Sequence, residues 1–430
     1  LLRHRFNPIS QLSRNANCFD RYCYVCPGAL HARRSRCHVL PVLRLQRLVL
    51  TDFRSYPALT WRLGSGINVL YGPNGSGKTN LLEAVSLLVP GRGLRSARNA
   101  DLARRGGTGG WAVASRLSTI EGEVDIGTGT IPDGPADRRM FRVDGAAPRS
   151  QAEIAARAAV VWLTPQMDRL FHEGLSGRRR FLDRLVWALE PGHAREMAAH
   201  DTAMSSRNRL LAEGRGDRSW LSGLEDAMAR HAVAATAARM ALVGRLNVAL
   251  AGGVAGGFPA ARMGLMCPIA DRLAETPALA VEDWLRAGLE ANRARDAAAG
   301  SSLLGAHRTD MALADAESGT AAALASTGEQ KSLLIGVILG HAALIAETRG
   351  FAPLLLLDEP AVHLDPDRRR RLFDALAGLP AQILLTGTDG ETFLPLAGRA
   401  AAWAAGGGEL IADPRFSCGE MRPASVLPTL

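Results

Sequence analysis

Hydrophobic positions recur along the chain with two different spacings. Val42-Leu43-Arg44-Leu45-Gln46-Arg47-Leu48-Val49-Leu50 opens with apolar and polar residues in alternation, which predicts a half-buried strand. Asp52-Phe53-Arg54-Ser55-Tyr56-Pro57 predicts a turn after it. Gly66-Ile67-Asn68-Val69-Leu70-Tyr71 predicts a second short strand, running into a glycine-rich loop and a helix over about 78–88. Punctuation at Gly127, Pro132-Asp133-Gly134 and Asp144-Gly145 predicts a small β-meander over 111–144. Val160-Val161-Trp162-Leu163, Leu354-Leu355-Leu356-Leu357 and Gln382-Ile383-Leu384-Leu385 are short runs of the kind buried in a parallel sheet.

Over 168–299 the strand signals vanish. The stretches 220–250 and 281–299 have helical spacing, interrupted by glycine pairs at 252–253 and 256–257. A helical lobe inserted into an α/β domain is the expected architecture. The chain is expected to divide into an extension (1–41), a first α/β part (42–167), a helical lobe (168–300), a second α/β part (301–415) and a tail (416–430). Residues 1–41 are expected to be non-native or disordered. They start with Leu, lack hydrophobic periodicity, and are rich in arginine and poor in acid, like a transit peptide or translated upstream sequence. Cys18, Cys23, Cys26 and Cys37 within them offer an alternative, a zinc site with a CxxC pair. Cys267 and Cys418 suggest no disulfide framework, which fits a reducing cytoplasm.

Composition narrows the function without defining it. The chain has 430 residues, 47% hydrophobic and 22% charged, and no apolar run reaches the roughly 18 residues needed to cross a bilayer. The longest candidate, 333–346, carries His341 and is expected to be a buried helix, so no membrane partner is expected. A net charge of +9 invites a nucleic-acid reading, yet residues 1–40 hold seven arginines against one acid, Asp20. A DNA surface must therefore come from local arginine patches. Lysine usage is more telling: the 51 basic residues include only Lys78 and Lys331 as lysines. A compact ammonium kept where arginine serves everywhere else marks a position that a planar guanidinium cannot fill.

Both lysines fall in nucleotide motifs. Gly72-Pro73-Asn74-Gly75-Ser76-Gly77-Lys78-Thr79 has the G-x-x-x-x-G-K-[ST] spacing after a strand and before a helix. Backbone N–H groups freed by the glycines would cradle phosphates, Lys78 would reach the β- and γ-phosphates, and Thr79 would ligate Mg²⁺. The strand Leu354-Leu355-Leu356-Leu357 ends in Asp358-Glu359, with Asp358 expected in the Mg²⁺ shell and Glu359 as general base. Ser326-Thr327-Gly328-Glu329-Gln330 opens an apolar helix and offers a hydroxyl and N–H groups to a γ-phosphate; a plain N-cap is the alternative. Ala361-Val362-His363-Leu364-Asp365 follows the two acids directly.

This ordered set resembles the ABC-type ATPases, in which the Ser-x-Gly-Glu-Gln turn of one protomer completes the site of another. The resemblance implies an ABC-type P-loop ATPase head, α/β with a mixed or parallel core sheet plus a β-meander and an inserted helical lobe. It also makes Ser326, Gly328, Glu329, Gln330 and Asp365 nucleotide-binding residues. The 247 residues from Thr79 to Ser326 exceed a transporter insert and fall far short of an SMC coiled coil. An insert of that size resembles the RecF family.

Three local matches support the family: Phe53-Arg54-Ser55-Tyr56 (Phe-Arg-Asn-Tyr), Gly177-Arg178-Arg179-Arg180-Phe181-Leu182-Asp183 (Arg-Arg-x-Phe-Leu-Asp) and Gly305-Ala306-His307-Arg308-Thr309-Asp310 (Gly-Pro-His-Arg-Asp-Asp). Ala306 and Thr309 depart from that last pattern. Thr386-Gly387-Thr388 stands where many ABC-type proteins place a switch histidine, as in RecF-like proteins, and implies slow hydrolysis. Gln166 is the candidate for sensing Mg²⁺ and water. The family resemblance implies a cytoplasmic, weakly DNA-stimulated ATPase that dimerises on ATP at gapped DNA and assists RecA loading with RecO and RecR. Arg54, Arg95, Arg98, Arg104, Arg105 and Arg178, Arg179 and Arg180 are the candidate phosphate contacts. The alternatives are the ATPase subunit of an ABC transporter or another SMC-like ATPase.

Overall fold

Residues 42–131, 138–214, 217–254 and 257–416 are described by a computed structural model. The cysteine set of 1–41, the Pro132-Asp133-Gly134 turn, Gly256 and the tail beyond Phe416 lie outside the described residues. The alternation of the first strand is satisfied by a sheet with one buried face. In β1 (Arg44–Phe53), Leu45, Leu48 and Leu50 are buried, with a register shift between Leu45 and Arg47. After β2 (Tyr56–Arg62) the chain leaves this sheet for β3 (Ile67–Tyr71) and α1 (Lys78–Ser86). It then returns as β4 (Trp111–Thr119), β5 (Gly122–Thr130) and β6 (Met140–Val143). The predicted meander is thus part of a five-stranded antiparallel sheet, β2-β1-β4-β5-β6.

Helix α2 (Gln151–Arg157) leads to β7 (Val160–Leu163). The helical lobe follows as α3 (Leu175–Leu189), α4 (His193–Glu213) and α5 (Arg218–Ala251). Next comes β8 (Ala261–Met266), which the sequence pattern did not predict. It is followed by α6 (Pro268–Leu273), α7 (Ala278–Ala291) and α8 (Arg293–Ala299), then by β9 (Asp310–Asp315). β8 and β9 pair antiparallel, Met266 opposite Asp310, and close the neck of the insert. The lobe has its own core, including Met228, Val233, Ile269, Leu285 and Leu289. Beside that core Arg207 is fully buried, held by Glu225 at 3.0 Å and Asp296 at 2.7 Å.

The chain then runs through α9 (Thr327–Arg349), β10 (Leu354–Leu357), α10 (Pro366–Gly378), β11 (Ile383–Gly387), β12 (Ala400–Gly406) and β13 (Glu409–Ala412). The second sheet has the order β13-β12-β3-β11-β10-β7, parallel except for β13. Its interior strands are largely apolar because both faces are covered, with Asn68 in β3 and Thr386 in β11 as buried polar exceptions. Two helices, α5 and α9, are long and apolar enough by length and composition to cross a membrane, but α9 is largely buried and packs as a core helix. Gln382 joins the two sheets: its amide donates to Leu45 O (3.0 Å) and Gly64 O (2.7 Å), and its Oε1 accepts from Leu45 N. Trp61 and Trp403 pack edge to face across the same seam, ring centroids 5.3 Å apart.

Two of the family-like motifs prove to be stitches between the insert and the core. Arg178 makes a two-pronged ion pair with Asp310 at 2.7 and 2.9 Å. Asp183 receives Arg239 in the same manner, and Arg239 also donates to Ala306 O and to the Thr309 hydroxyl. Thr309, where the family carries Asp, thus keeps an acceptor for Arg239.

Candidate nucleotide site

Strand β3 delivers the phosphate loop and α1 receives it. At Gly72 (φ 149°) a Cβ would lie 2.4 Å from Ala405 O; at Gly77 (φ 99°) it would lie 2.5 Å from Tyr56 Oη. Only glycine fits either position. Gly77 caps α1 without a side-chain bond, so the first N–H groups of the helix remain available to an anion. Lys78 is buried and donates to Gly72 O (2.6 Å) and Pro73 O (2.9 Å), curling back over the loop it serves. Burial pushes its pKa down, while the charges of Glu359 and Asp358 hold it up.

The carboxylates arrive on β10, next to β11. Thr79 Oγ1 donates to Asp358 Oδ1 at 2.9 Å, and Thr386 Oγ1 donates to the same oxygen at 2.7 Å. Thr386 in turn accepts from the Glu359 N–H at 2.9 Å. One hydroxyl therefore fixes the Asp358 carboxylate and the backbone of Glu359. Glu359 sits at φ 49° and His363 at φ 65°, conformations a side-chain-bearing residue holds only when its surroundings impose them. The imposing group is Lys331, whose ammonium donates to Glu359 O (3.1 Å) and Val362 O (2.8 Å) and lies 3.5 Å from Asp168. Burial raises the pKa of Asp168, opposed by Lys331. Asp168 carries no motif, and only its place in the short helical turn Pro165–Arg169 after β7 brings it here.

The Ser-x-Gly-Glu-Gln turn is exposed and internally bonded. Ser326 caps α9, and its N–H and hydroxyl both donate to Glu329 Oε2 at 2.9 Å. Gly328 packs against His363 O and Arg368, so the turn rests on the segment after the acids. Gln330, expected at the nucleotide, is buried instead and donates to Ala325 O at 2.9 Å. It holds the turn rather than presenting itself. Asp365 caps α10, accepting from Arg368 N at 2.8 Å. None of the hydrogen bonds from Ser326 to Gln330 reaches the phosphate loop of the same chain. Gln166 is exposed just beyond β7, which pairs in parallel with β10.

Most of the arginines expected at DNA are engaged within the chain. Arg54 forks onto Glu83 at 2.8 Å, Arg95 reaches Asn80 and Glu83, Arg98 pairs with Asp101 and Arg104 with Asp52. Arg178 is held by Asp310, whereas Arg105 and Arg180 are exposed.

A strand–loop–helix phosphate cradle, a paired Asp-Glu at the end of a strand two places away in the same sheet and a helical insert define an ATPase head of the RecF and SMC class. Residues 44–396 match the sequence profile of the RecF/RecN/SMC N terminal domain. The chain is 47% identical over 359 residues to the DNA replication and repair protein RecF of Mesorhizobium japonicum, spanning 83% of this chain and 94% of that protein. The RecF of Agrobacterium fabrum is 47% identical over 358 residues, 83% of this chain and 95% of that protein. In fold it resembles a RecF solved with ATP, a recombination mediator protein in the RecFOR pathway: TM-score 0.74, 20% identity, 87% of this chain and all of that one. The chain belongs to the RecF family of DNA replication and repair proteins.

Proposed function

We propose that the protein is an ATP-operated clamp of recombinational repair, in which ATP joins two heads on gapped DNA and hydrolysis releases them. The observation that carries this reading is the bond chain Thr79–Asp358–Thr386–Glu359, which ties the end of the phosphate loop to the Asp358 carboxylate and to the backbone N–H of Glu359. The donors fit Mg²⁺, since a hydroxyl and a carboxylate are hard oxygen ligands already in contact. Thr79 and Asp358 would hold the ion, which when bound neutralises phosphate charge. Gln166 is the proposed sensor of ion and water. Lys78 and the α1 N-terminus hold the phosphates, and Glu359 takes the proton of the attacking water.

Ser326 and Glu329 are exposed at the head of α9, with the half-buried Gly328 between them, which supports the use of this turn on the ATP of a second copy. Family membership supports RecO and RecR as partners, RecA as the protein loaded, and the cytoplasm as the compartment. The exposed Arg105 is the first DNA contact to test, because among the described residues it pairs with no acid.

Sedimentation velocity of the full chain with Mg²⁺ and ATP, with and without gapped duplex, tests the proposal. A monomer-to-dimer shift that gapped DNA strengthens and that Lys78→Ala abolishes is expected. A monomer under all conditions would overturn the composite site. A dimer and an ATPase rate both indifferent to DNA at low salt would overturn the DNA reading.

A further inference from the structure

A cavity of about 1180 Å³ lies away from the phosphate loop, between the first α/β part and the helical lobe. The loop 89–96 after α1, strand β7, helices α3 and α4, and His307 wall it. Its floor is apolar, with Met167, Leu170, Trp187, Met197 and Met204. Its charge is unbalanced. Arg92, Arg95, Arg179, Arg180, Arg184 and Arg349 line it against Glu173, Asp183 and Asp201; Arg95 is paired with Glu83 outside the cavity, and Asp183 is already taken by Arg239 and His193.

Arg184 is the distinctive group. Its guanidinium stacks on Trp162 at 4.6 Å and on Phe181 at 5.3 Å. Its one polar contact among the described residues is a weak one, Nη2 donating to Met167 Sδ at 3.4 Å. Burial without an acid pushes its pKa down to about 9. Arg349 donates to the carbonyls of Ala188, Ala155 and Ala156 and likewise has no carboxylate among the described residues. A guanidinium set in a cavity wall with a thioether as its partner is short of an anion.

We propose that this cavity docks a short acidic segment of a protein partner, an apolar side chain seated on the floor and a carboxylate on Arg184. Charge complementarity identifies the occupant's sign, and the apolar floor identifies its kind. A duplex presents phosphates on a stiff convex surface that a recessed pocket does not meet. A stacked base needs a free aromatic face, but Arg184 takes that of Trp162 and the Gly91 backbone packs against the ring of Trp187. A flexible peptide satisfies both halves of the pocket. Gln166 and Met167 line the same cavity, so an occupant touches the segment that leads to Asp168 and Lys331. The inference does not depend on the DNA reading above.

Fluorescence anisotropy of the full chain with a fluorescein-labelled Asp-Glu-Phe-Asp-Leu-Glu peptide at low salt tests it. Saturable binding is expected, weakened by salt and lost when the peptide's acids are replaced by amides. Arg184→Met should weaken binding by at least about tenfold. It should leave the melting temperature unchanged or higher, since the variant removes a charge that lacks a partner. Should Arg184→Met melt early, the exposed rim variant Arg180→Ser must weaken the peptide instead. The proposal is overturned by no binding to the parent chain, or by full affinity in folded Arg184→Met or in Arg180→Ser. Displacement of the peptide by inorganic phosphate or a twelve-base single strand at lower concentration than by unlabelled peptide overturns it too, and makes the site a phosphate site.

Discussion

Replacing Lys331 by Met tests how the acids are held. The substitution preserves the stem and removes an ammonium that donates to Glu359 O and Val362 O and faces Asp168 at 3.5 Å. Lys331 is 2% exposed and Asp168 19%, so the loss leaves a carboxylate with little water and two carbonyls without a donor. Breaking a buried pair from one side costs about 3–5 kcal/mol. Asp168→Asn in the same chain should recover about 1–3 kcal/mol, because the stranded charge is gone while the carbonyls stay unmet. Urea denaturation of the parent, both singles and the double gives the coupling energy, provided the slopes agree. Turnover should fall in Lys331→Met with little change in ATP affinity, since the phosphate loop is untouched. Strict additivity of the two substitutions, within about 0.5 kcal/mol, refutes the reasoning.

Thr386→Val keeps the shape of the side chain but deprives the Glu359 N–H of its acceptor and Asp358 of a donor. A loss of about 10–100-fold in turnover with ATP binding retained is expected from a cost of about 1–3 kcal/mol, and Thr386→Ser should restore most of it. Glu359→Gln should bind ATP and accumulate as a closed dimer on size exclusion; turnover at the parental rate would remove Glu359 as the base. His341 is fully buried, its ring nitrogen bonded to Leu185 O, and burial lowers its pKa from 6.5 to about 4. Between those values the unfolded chain binds the proton and the folded chain does not. The stabilisation is therefore present above about pH 6.5 and is lost as the pH falls toward 4, by about 2 kcal/mol at pH 5. His341→Gln should flatten that part of the urea-midpoint profile, and an unchanged slope would show that His341 does not contribute to it.

The phosphate loop and the two acids were legible because backbone geometry dictates them. A Cβ at Gly72 or Gly77 has no room, and an uninterrupted apolar strand can carry its acids only past the end of its buried run. Strand β8 was not legible, since six residues with Arg262 and Gly264 among them show no clear alternation and find their partner only across the insert. The pairing of Lys331 with Asp168 joins residues far apart in sequence, and only the fold brings them together. Arginine was the least readable residue type. Arg54, Arg95, Arg98, Arg104 and Arg178 look like a basic surface on paper, yet each neutralises an acid of its own chain. Gln330 likewise has the right letter in the right motif and turns inward.

The outward turn at the head of α9 carries a constraint in its proton count. The Ser326 hydroxyl has one hydrogen, and Glu329 already holds it. To donate to the phosphate of a second copy, the serine must let the glutamate go, and the glutamate's negative charge must swing clear of the newcomer. The contact is then an exchange of one acceptor for another and not an added bond, so its net yield is small. In the proposed dimer, two heads joined through such turns would hold only while the whole set of contacts is present. Loss of the γ-phosphate would return the serine's hydrogen bond to Glu329, a waiting internal competitor that resets the surface without outside help.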